Sequence, residues 1–195
     1  MNSSLNINND ILLSIYKERD TVFRLKDIAM LVNDQDFKSL NWRLNYYVRT
    51  GRLLNPRKGI YAKPGFRVEE LACKLYTPSY ISLEYVLQRS GIIFQYDSSV
   101  TSVSYLSRTV EIDGQKLIYR KMKGAALVST SGIIRKEDNI NIATAERAFL
   151  DLCYLDKDYY FDNLNPLDRE KLFALLPLYS SAALTKRVKK VLIND

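Results

Sequence analysis

The segment from Phe37 to Gly51 constrains the fold of this chain more than any other segment. Apolar residues recur in it at helical spacing, and Gly51 follows as a typical C-terminal glycine. The predicted buried face consists of Phe37, Leu40, Leu44, Tyr47 and Val48, with Asn41 at its edge. The predicted exposed face carries Lys38, Ser39, Trp42, Arg43, Asn45, Tyr46 and Arg49. Arginine, asparagine and lysine contact base edges and phosphates, so this face is a candidate DNA-reading surface. The alternative is that Trp42 and Tyr46 pack under another element.

The elements around this helix suggest a known arrangement. Two shorter helical patterns precede it, over 9–18 and 24–33, with Asn9 or Asp10 as the cap of the first and an extended piece at 21–24. A short strand at 53–54, a turn at 55–59 and a second strand at 60–62 follow it. Arg57 and Lys58 lie at the tip of this hairpin. Three helices and a basic hairpin predict a winged helix-turn-helix over 1–66, in which the third helix enters the major groove.

The charge of the chain is concentrated in the same region. The net charge is +7, and residues 36–67 hold eight basic side chains against one acid, Asp36. This segment therefore accounts for the whole imbalance, since the remaining residues are balanced overall. A local excess of positive charge attracts polyanions, and double-stranded DNA is the partner that we expect. A merely solvated basic face is the alternative.

Residues 67–195 predict a second domain of mixed structure. Helical patterns occur at 68–76 and 82–90, where Ser82 is the expected cap, and again at 144–155, 166–176 and 181–193. Residues 99–135 alternate between apolar and polar residues and are rich in Val, Thr, Tyr and Ile, with a predicted hairpin turn at Asp113-Gly114. We therefore expect an α+β chain whose second domain contains a small antiparallel sheet.

The composition argues against most common catalytic designs. The chain has no histidine, which removes Ser-His-Asp triads, Cys-His pairs and HExxH zinc sites. It contains neither a phosphate-binding P-loop nor a GxGxxG motif. Cys73 and Cys153 lie in apolar helical patterns and are interpreted as reduced core residues. We expect no catalytic, cofactor-binding or metal-binding residues, no membrane association, and a cytoplasmic protein that is not an enzyme.

Two groups of charged residues could still suggest chemistry. Glu111, Asp113, Lys116 and Lys121 loosely resemble the acids and lysine of a metal-dependent nuclease, although the predicted hairpin turn explains Asp113 more simply. In the helix at 144–155, Arg147 and Asp151 are four residues apart and are expected to form a salt bridge. Thr144 is expected to cap this helix, with Glu146 in its first turn.

Three segments together resemble the AbiEi family of antitoxins and transcriptional regulators. They are Gly59-Ile60-Tyr61 at the end of the wing, YISLEYVLQRSGII at 80–93, and IATAERAFLDLCYL at 142–155, which is similar to the family's Ala-Thr-x-Glu-Arg-Ala-x-x-Asp pattern. The resemblance covers about residues 10–155. It implies a repressor of its own promoter that counteracts a nucleotidyltransferase-like toxin. The alternatives are a module that binds and masks a partner enzyme, and the nuclease.

Overall fold

The computed structural model describes residues 11–136 and 139–193, which divide into two compact units on either side of the Lys74–Leu75 boundary. Both units mix helices and strands, so the chain is α+β, as predicted. Asn9 and Asp10, the expected cap residues of the first helix, lie outside the described residues. The predicted division into domains at 66/67 stays a prediction.

The first unit contains four helices and three short strands among its described residues. In chain order they are α1 (Ile11–Lys17), β1 (Val22–Arg24), α2 (Leu25–Leu31), α3 (Phe37–Arg49), β2 (Leu54–Arg57), β3 (Ile60–Ala62) and α4 (Val68–Leu75). The strands form an antiparallel sheet in the order β1-β3-β2, in which Phe23 pairs with Tyr61 and Arg57 pairs with Ile60.

The core of the first unit is apolar. Ile15, Ile28, Leu40, Leu44 and Leu53 are all fully buried in one cluster, which anchors α1, α2 and α3. Because Leu40 and Leu44 lie one turn apart, they hold a single face of α3 against this core.

The hairpin differs in detail from the sequence prediction. The strand predicted at Leu53–Leu54 is β2, which runs from Leu54 to Arg57, so the turn is shorter than 55–59 and consists of Lys58 and Gly59. The Asn55 side chain explains the difference, because its Nδ2 donates to the Arg57 carbonyl at 3.0 Å and to the Ile60 carbonyl at 2.7 Å. These bonds keep β2 beside β3 where the register of the two strands shifts, between Leu54 and Arg57.

The second unit is built on a six-stranded sheet flanked by helices. Its elements are β4 (Ser79–Ile81), α5 (Glu84–Arg89), β5 (Val100–Ser104), β6 (Arg108–Ile112), β7 (Gln115–Lys121), α6 (Ala125–Val128), β8 (Ile133–Arg135), β9 (Asn141–Ala143), α7 (Ala145–Leu155), α8 (Arg169–Leu175), a 3₁₀ helix (Leu176–Tyr179) and α9 (Ala182–Ile193). The central helix, α7, packs against α5, α8 and α9.

The prediction of an antiparallel sheet in this unit is wrong. The strand order is β6-β7-β5-β4-β9-β8, and the pairs β5–β7 and β4–β9 are parallel. The predicted turn at Asp113-Gly114 is confirmed, with φ of 50° and 73°, and it places β6 and β7 side by side in antiparallel register. Alternation of apolar and polar residues predicts that a segment is a strand. Whether it pairs with a parallel or an antiparallel neighbour depends on the path of the chain between the two strands.

The helix caps follow the sequence in one case and depart from it in another. Thr144 caps α7 by accepting the Arg147 N–H at 3.3 Å, as expected. Ser82 does not cap α5, whose N-cap residue is Leu83. The Ser82 hydroxyl instead donates to the buried Asp151 carboxylate at 2.7 Å, whereas a cap residue would accept a backbone N–H.

Candidate nucleic-acid interface

The helix α3 begins at a well-defined cap and presents two contrasting faces. The Asp36 carboxylate accepts the backbone N–H groups of Lys38 and Ser39 at 3.1 and 3.0 Å, which fixes the start of the helix. Leu40 and Leu44 are buried, as predicted. Phe37 is 50% exposed, so its assignment to the buried face is wrong; it is the first helical residue and precedes the turn that enters the core.

The candidate reading residues lie along the opposite face of α3. Lys38, Ser39, Trp42, Asn45, Tyr46 and Arg49 are all exposed, and Arg43 is partly exposed. Trp42 is 68% exposed, so the alternative in which it packs under another element does not hold. Together with Asp36, Lys38 and Ser39 it lines a shallow open depression near the start of the helix.

Arg57 and Lys58 are exposed as well, at the end of β2 and in the turn that follows. Arg57 occupies the last position of the strand, opposite Ile60, whereas Lys58 lies in the turn itself. Gly59 supports this turn, because its φ of 77° belongs to the left-handed region that favours glycine. The hairpin therefore holds two cationic side chains at its end.

Contacts with other residues engage at least three of the eight basic residues in residues 36–67. Arg43 forms an ion pair with Asp34, an acid just outside that segment. Arg67 pairs with the buried Glu70 at 3.0 Å. The Lys63 Nζ donates to the Glu18 carbonyl at 2.6 Å and lies over the ring of Phe23, and burial lowers its pKa.

Five basic side chains of the segment are exposed. They are Lys38, Arg49, Arg52, Arg57 and Lys58. The sequence count of eight therefore overstates the charge that this surface offers to a polyanion. Sequence reasoning counted only residues 36–67 and so missed both acidic partners, Asp34 and Glu70, which lie just outside that range. Arg67 and Glu70 are three residues apart, so the sequence itself could have indicated that pair.

Hydrogen bonds hold the polar residues of α3 to β3. The Tyr61 hydroxyl donates to the Asn41 Oδ1 at 2.6 Å and lies 3.5 Å from the Asn45 Oδ1. Burial raises the pKa of Tyr61, which keeps this hydroxyl protonated as a donor. The contact restrains Asn41 and Asn45 from the sheet side, so the orientation of α3 and that of the hairpin are coupled.

The candidate nuclease residues do not form a metal-dependent nuclease centre. Glu111 lies directly opposite Lys116 on the paired strands β6 and β7, and Asp113 lies in the turn. Over the described residues, no group of three or more potential metal ligands is found close together. The cross-strand pairing of Glu111 with Lys116 accounts for both residues.

The remaining sequence predictions concern a buried ion pair, the two cysteines and membrane-spanning helices. Arg147 and Asp151 form the expected ion pair, at 3.2 Å, and both are fully buried. Cys73 and Cys153 are buried thiols, as predicted. Among the described helices, the longest is α3 with 13 residues, and none is long and apolar enough to cross a bilayer.

Comparisons with known proteins give no further constraint. No family model, no curated protein and no solved structure matches this chain.

Proposed function

We propose that residues 1–66 form a winged helix-turn-helix that binds double-stranded DNA. The support is the order of elements, α1-β1-α2-α3-β2-β3, together with the three-stranded sheet β1-β3-β2. In this arrangement α3 is the recognition helix and the β2–β3 hairpin is the wing. The observation that carries the proposal is the exposed face of α3, which combines Trp42, Asn45 and Arg49.

The two parts of this surface have different tasks in the proposal. Asn45 and Arg49 extend from α3, where an amide and a guanidinium can each form two hydrogen bonds to a base edge. Lys58 and its neighbour Arg57 lie at the hairpin, where a cation contacts phosphate without reading sequence. The helix supplies specificity, and the hairpin supplies position and affinity.

We further propose that the chain is a transcriptional repressor and antitoxin that acts on its own promoter. The support is the resemblance of residues 10–155 to the AbiEi family, which also implies a nucleotidyltransferase-like toxin as the counteracted partner. Co-expression of the adjacent gene tests this part separately: the neighbouring product should be toxic alone and tolerated with this protein. A neighbour that is harmless, or toxic with and without this protein, would contradict the antitoxin function but not the DNA binding.

A salt titration tests the DNA-binding proposal directly. If the five exposed basic residues neutralise about five phosphates, log K against log salt has a slope of about −4 to −5 on the promoter duplex. Fluorescence anisotropy at several salt concentrations measures it. Lys58→Gln should make the slope shallower by about 0.9, whereas the matched control Lys157→Gln, an exposed lysine of the second unit, should leave it unchanged. A slope near zero for the parent protein would refute the proposal.

A further inference from the structure

Asn41 lies on α3 between two residues of the proposed DNA-binding surface. Lys38 precedes it by three positions and Asn45 follows it by four, so all three share one side of the helix. Lys38 and Asn45 are exposed, whereas Asn41 is partly buried. Asn41 belongs to the N-terminal half of α3, and the N-terminal residues of a recognition helix are those that contact base edges. Its position in the helix is therefore that of a base-contacting residue.

The amide of Asn41 is held from the sheet side by one hydrogen bond. The Tyr61 hydroxyl donates to the Asn41 Oδ1 at 2.6 Å. Tyr61 is 2% exposed, and its neighbours on β3, Ile60 and Ala62, are buried as well, so the ring has a fixed position in the core. Burial raises the pKa of Tyr61, so the hydroxyl keeps the proton that it donates. The Asn41 oxygen is therefore fixed towards β3.

The same hydroxyl does not hold Asn45 in this way. A tyrosine hydroxyl has a single proton to donate. The Asn45 Oδ1 lies 3.5 Å from the Tyr61 hydroxyl, whereas the Asn41 Oδ1 lies 2.6 Å from it. The shorter contact takes the proton, because 3.5 Å is beyond the usual range of a hydrogen bond between two oxygens. Asn45 can therefore turn its amide towards a base, whereas Tyr61 sets the direction of the Asn41 amide.

The nitrogen of the Asn41 amide is open to solvent. Within residues 11–136 and 139–193, Nδ2 of Asn41 has no hydrogen-bond partner, and it is not one of the polar atoms closed to water. The nitrogen and the oxygen diverge from the same carbon, so an oxygen bound to β3 directs the nitrogen away from β3. Nδ2 carries two N–H donors and accepts no hydrogen bond. Asn41 therefore presents a donor at the surface, while its acceptor faces the sheet.

The four bases differ in what they offer to such a donor in the major groove. Guanine presents two acceptors, N7 and O6, whereas adenine presents one acceptor beside an amino group. Thymine presents one acceptor, and cytosine presents an amino donor. An asparagine that uses both ends of its amide pairs best with adenine. An asparagine whose oxygen is turned away and already bonded loses this pairing, so guanine becomes its best partner.

We propose that Asn41 is a base-reading residue and that Tyr61 selects guanine as the base that it reads. Tyr61 holds the Oδ1 of Asn41, and Nδ2 donates to N7 and O6 of a guanine in the bound DNA. Tyr61 is a positioning residue, because it acts on the DNA only through Asn41. The inference rests on the proposed DNA binding and names the base that this part of the surface recognises.

Anisotropy titrations of the promoter duplex and of its single base-pair substitutions test the role of Asn41. The parent should show a G·C pair whose replacement by A·T weakens binding about tenfold, and Asn41→Ala should lose this discrimination. A second substitution replaces that guanine by 7-deazaguanine, which lacks the N7 acceptor. It should weaken binding of the parent a few-fold and leave binding of Asn41→Ala unchanged.

Tyr61→Phe tests the positioning role. It keeps the ring in the core and releases the Asn41 oxygen, so the preference for G·C over A·T at that position should fall about fivefold or more. A loss of stability alone would weaken all duplexes alike. The matched control is Tyr16→Phe, which removes another tyrosine hydroxyl of the first unit, bonded to the Arg52 carbonyl at 2.9 Å, and should keep the preference of the parent. Circular dichroism checks folding, and Asn41→Ala carries the test if Tyr61→Phe does not fold.

The possible failures are distinguishable. Equal weakening of all duplexes by Asn41→Ala would overturn the inference and leave the DNA binding intact. A preference of the parent for any base other than guanine at the Asn41-dependent position would overturn it too, as would an unchanged preference in folded Tyr61→Phe. If the parent binds no duplex, the proposed function itself fails and the inference fails with it.

Discussion

Arg147 and Asp151 lie one turn apart on α7 with both side chains fully buried, and the Arg147 Nε donates to the Asp151 Oδ1 across 3.2 Å. Hydroxyl groups complete the coordination of the carboxylate: Tyr179 donates at 2.6 Å, Ser82 at 2.7 Å and Tyr80 at 3.2 Å. This cluster links α7 to β4 and to the 3₁₀ helix. It has the properties of a structural centre, since both charged residues are closed to solvent.

Removing one member of this pair should destabilise the second unit strongly. Asp151→Asn leaves the Arg147 guanidinium buried without its counter-charge, so the free energy of unfolding should fall by about 3–5 kcal/mol. Urea unfolding followed by circular dichroism measures the loss. The control is Lys171→Met, which removes the exposed ion pair with Asp168 and should leave the midpoint unchanged within error. Comparable losses in the two variants would contradict the central role of the buried pair.

The buried thiol of Cys153 should make the stability depend on alkaline pH. Burial raises the pKa of Cys153 from 9.0 to about 12 in the folded protein. Between these values the unfolded chain has lost the proton and the folded chain has kept it. The stability contributed by the thiol is therefore complete below pH 9 and is lost as the pH rises towards 12.

Cys153→Ala isolates this effect. Between pH 9 and 11 the free energy of unfolding of the parent should fall more steeply than that of the variant, by up to about 1.4 kcal/mol per pH unit. Urea unfolding with a phosphine reductant at each pH provides the slopes. Parallel slopes would show that the thiol titrates alike in the folded and unfolded states.

Helix and hairpin variants should affect DNA binding differently if the proposed function is right. Asn45→Ala or Arg49→Ala should cost about 1–3 kcal/mol on the promoter duplex and less on a scrambled duplex. Changing Arg57 and Lys58 together to Ala should weaken both duplexes about equally and make the salt slope shallower by about 2. Leu44→Ala is the stability control, since it removes packing from the core. Equal weakening of both duplexes by Asn45→Ala and Arg49→Ala would mean that another surface reads the sequence.

Trp42 should contact a thymine methyl group within the same complex. It is 68% exposed near the start of α3, and thymine is the base that presents an apolar group in the major groove. Replacing the contacted thymine by uracil should cost the parent about 0.5–1 kcal/mol, which is the order expected for one buried methyl group. The same replacement should cost Trp42→Ala nothing. Anisotropy titration over single thymine-to-uracil substitutions measures this coupling, and identical costs in the two proteins would exclude the contact.

The sequence determined the local elements of this protein well. The apolar spacing from Leu40 to Leu44 predicted a helix and its buried face, because residues four positions apart lie on the same side of any helix. The Asp113-Gly114 pair predicted a hairpin turn, and Thr144 predicted a cap, since both depend on contacts within a few residues.

Tertiary structure alone decided how these elements combine. The parallel pairing of β5 with β7 and the short strand β9 depend on contacts between distant segments, which alternation within a strand does not specify. The same reason explains Ser82, which the sequence predicted as a helix cap and the fold turned towards Asp151, 69 residues away. Local chemistry repeats wherever the residues occur, whereas burial and ion pairing depend on which distant side chains the fold brings together.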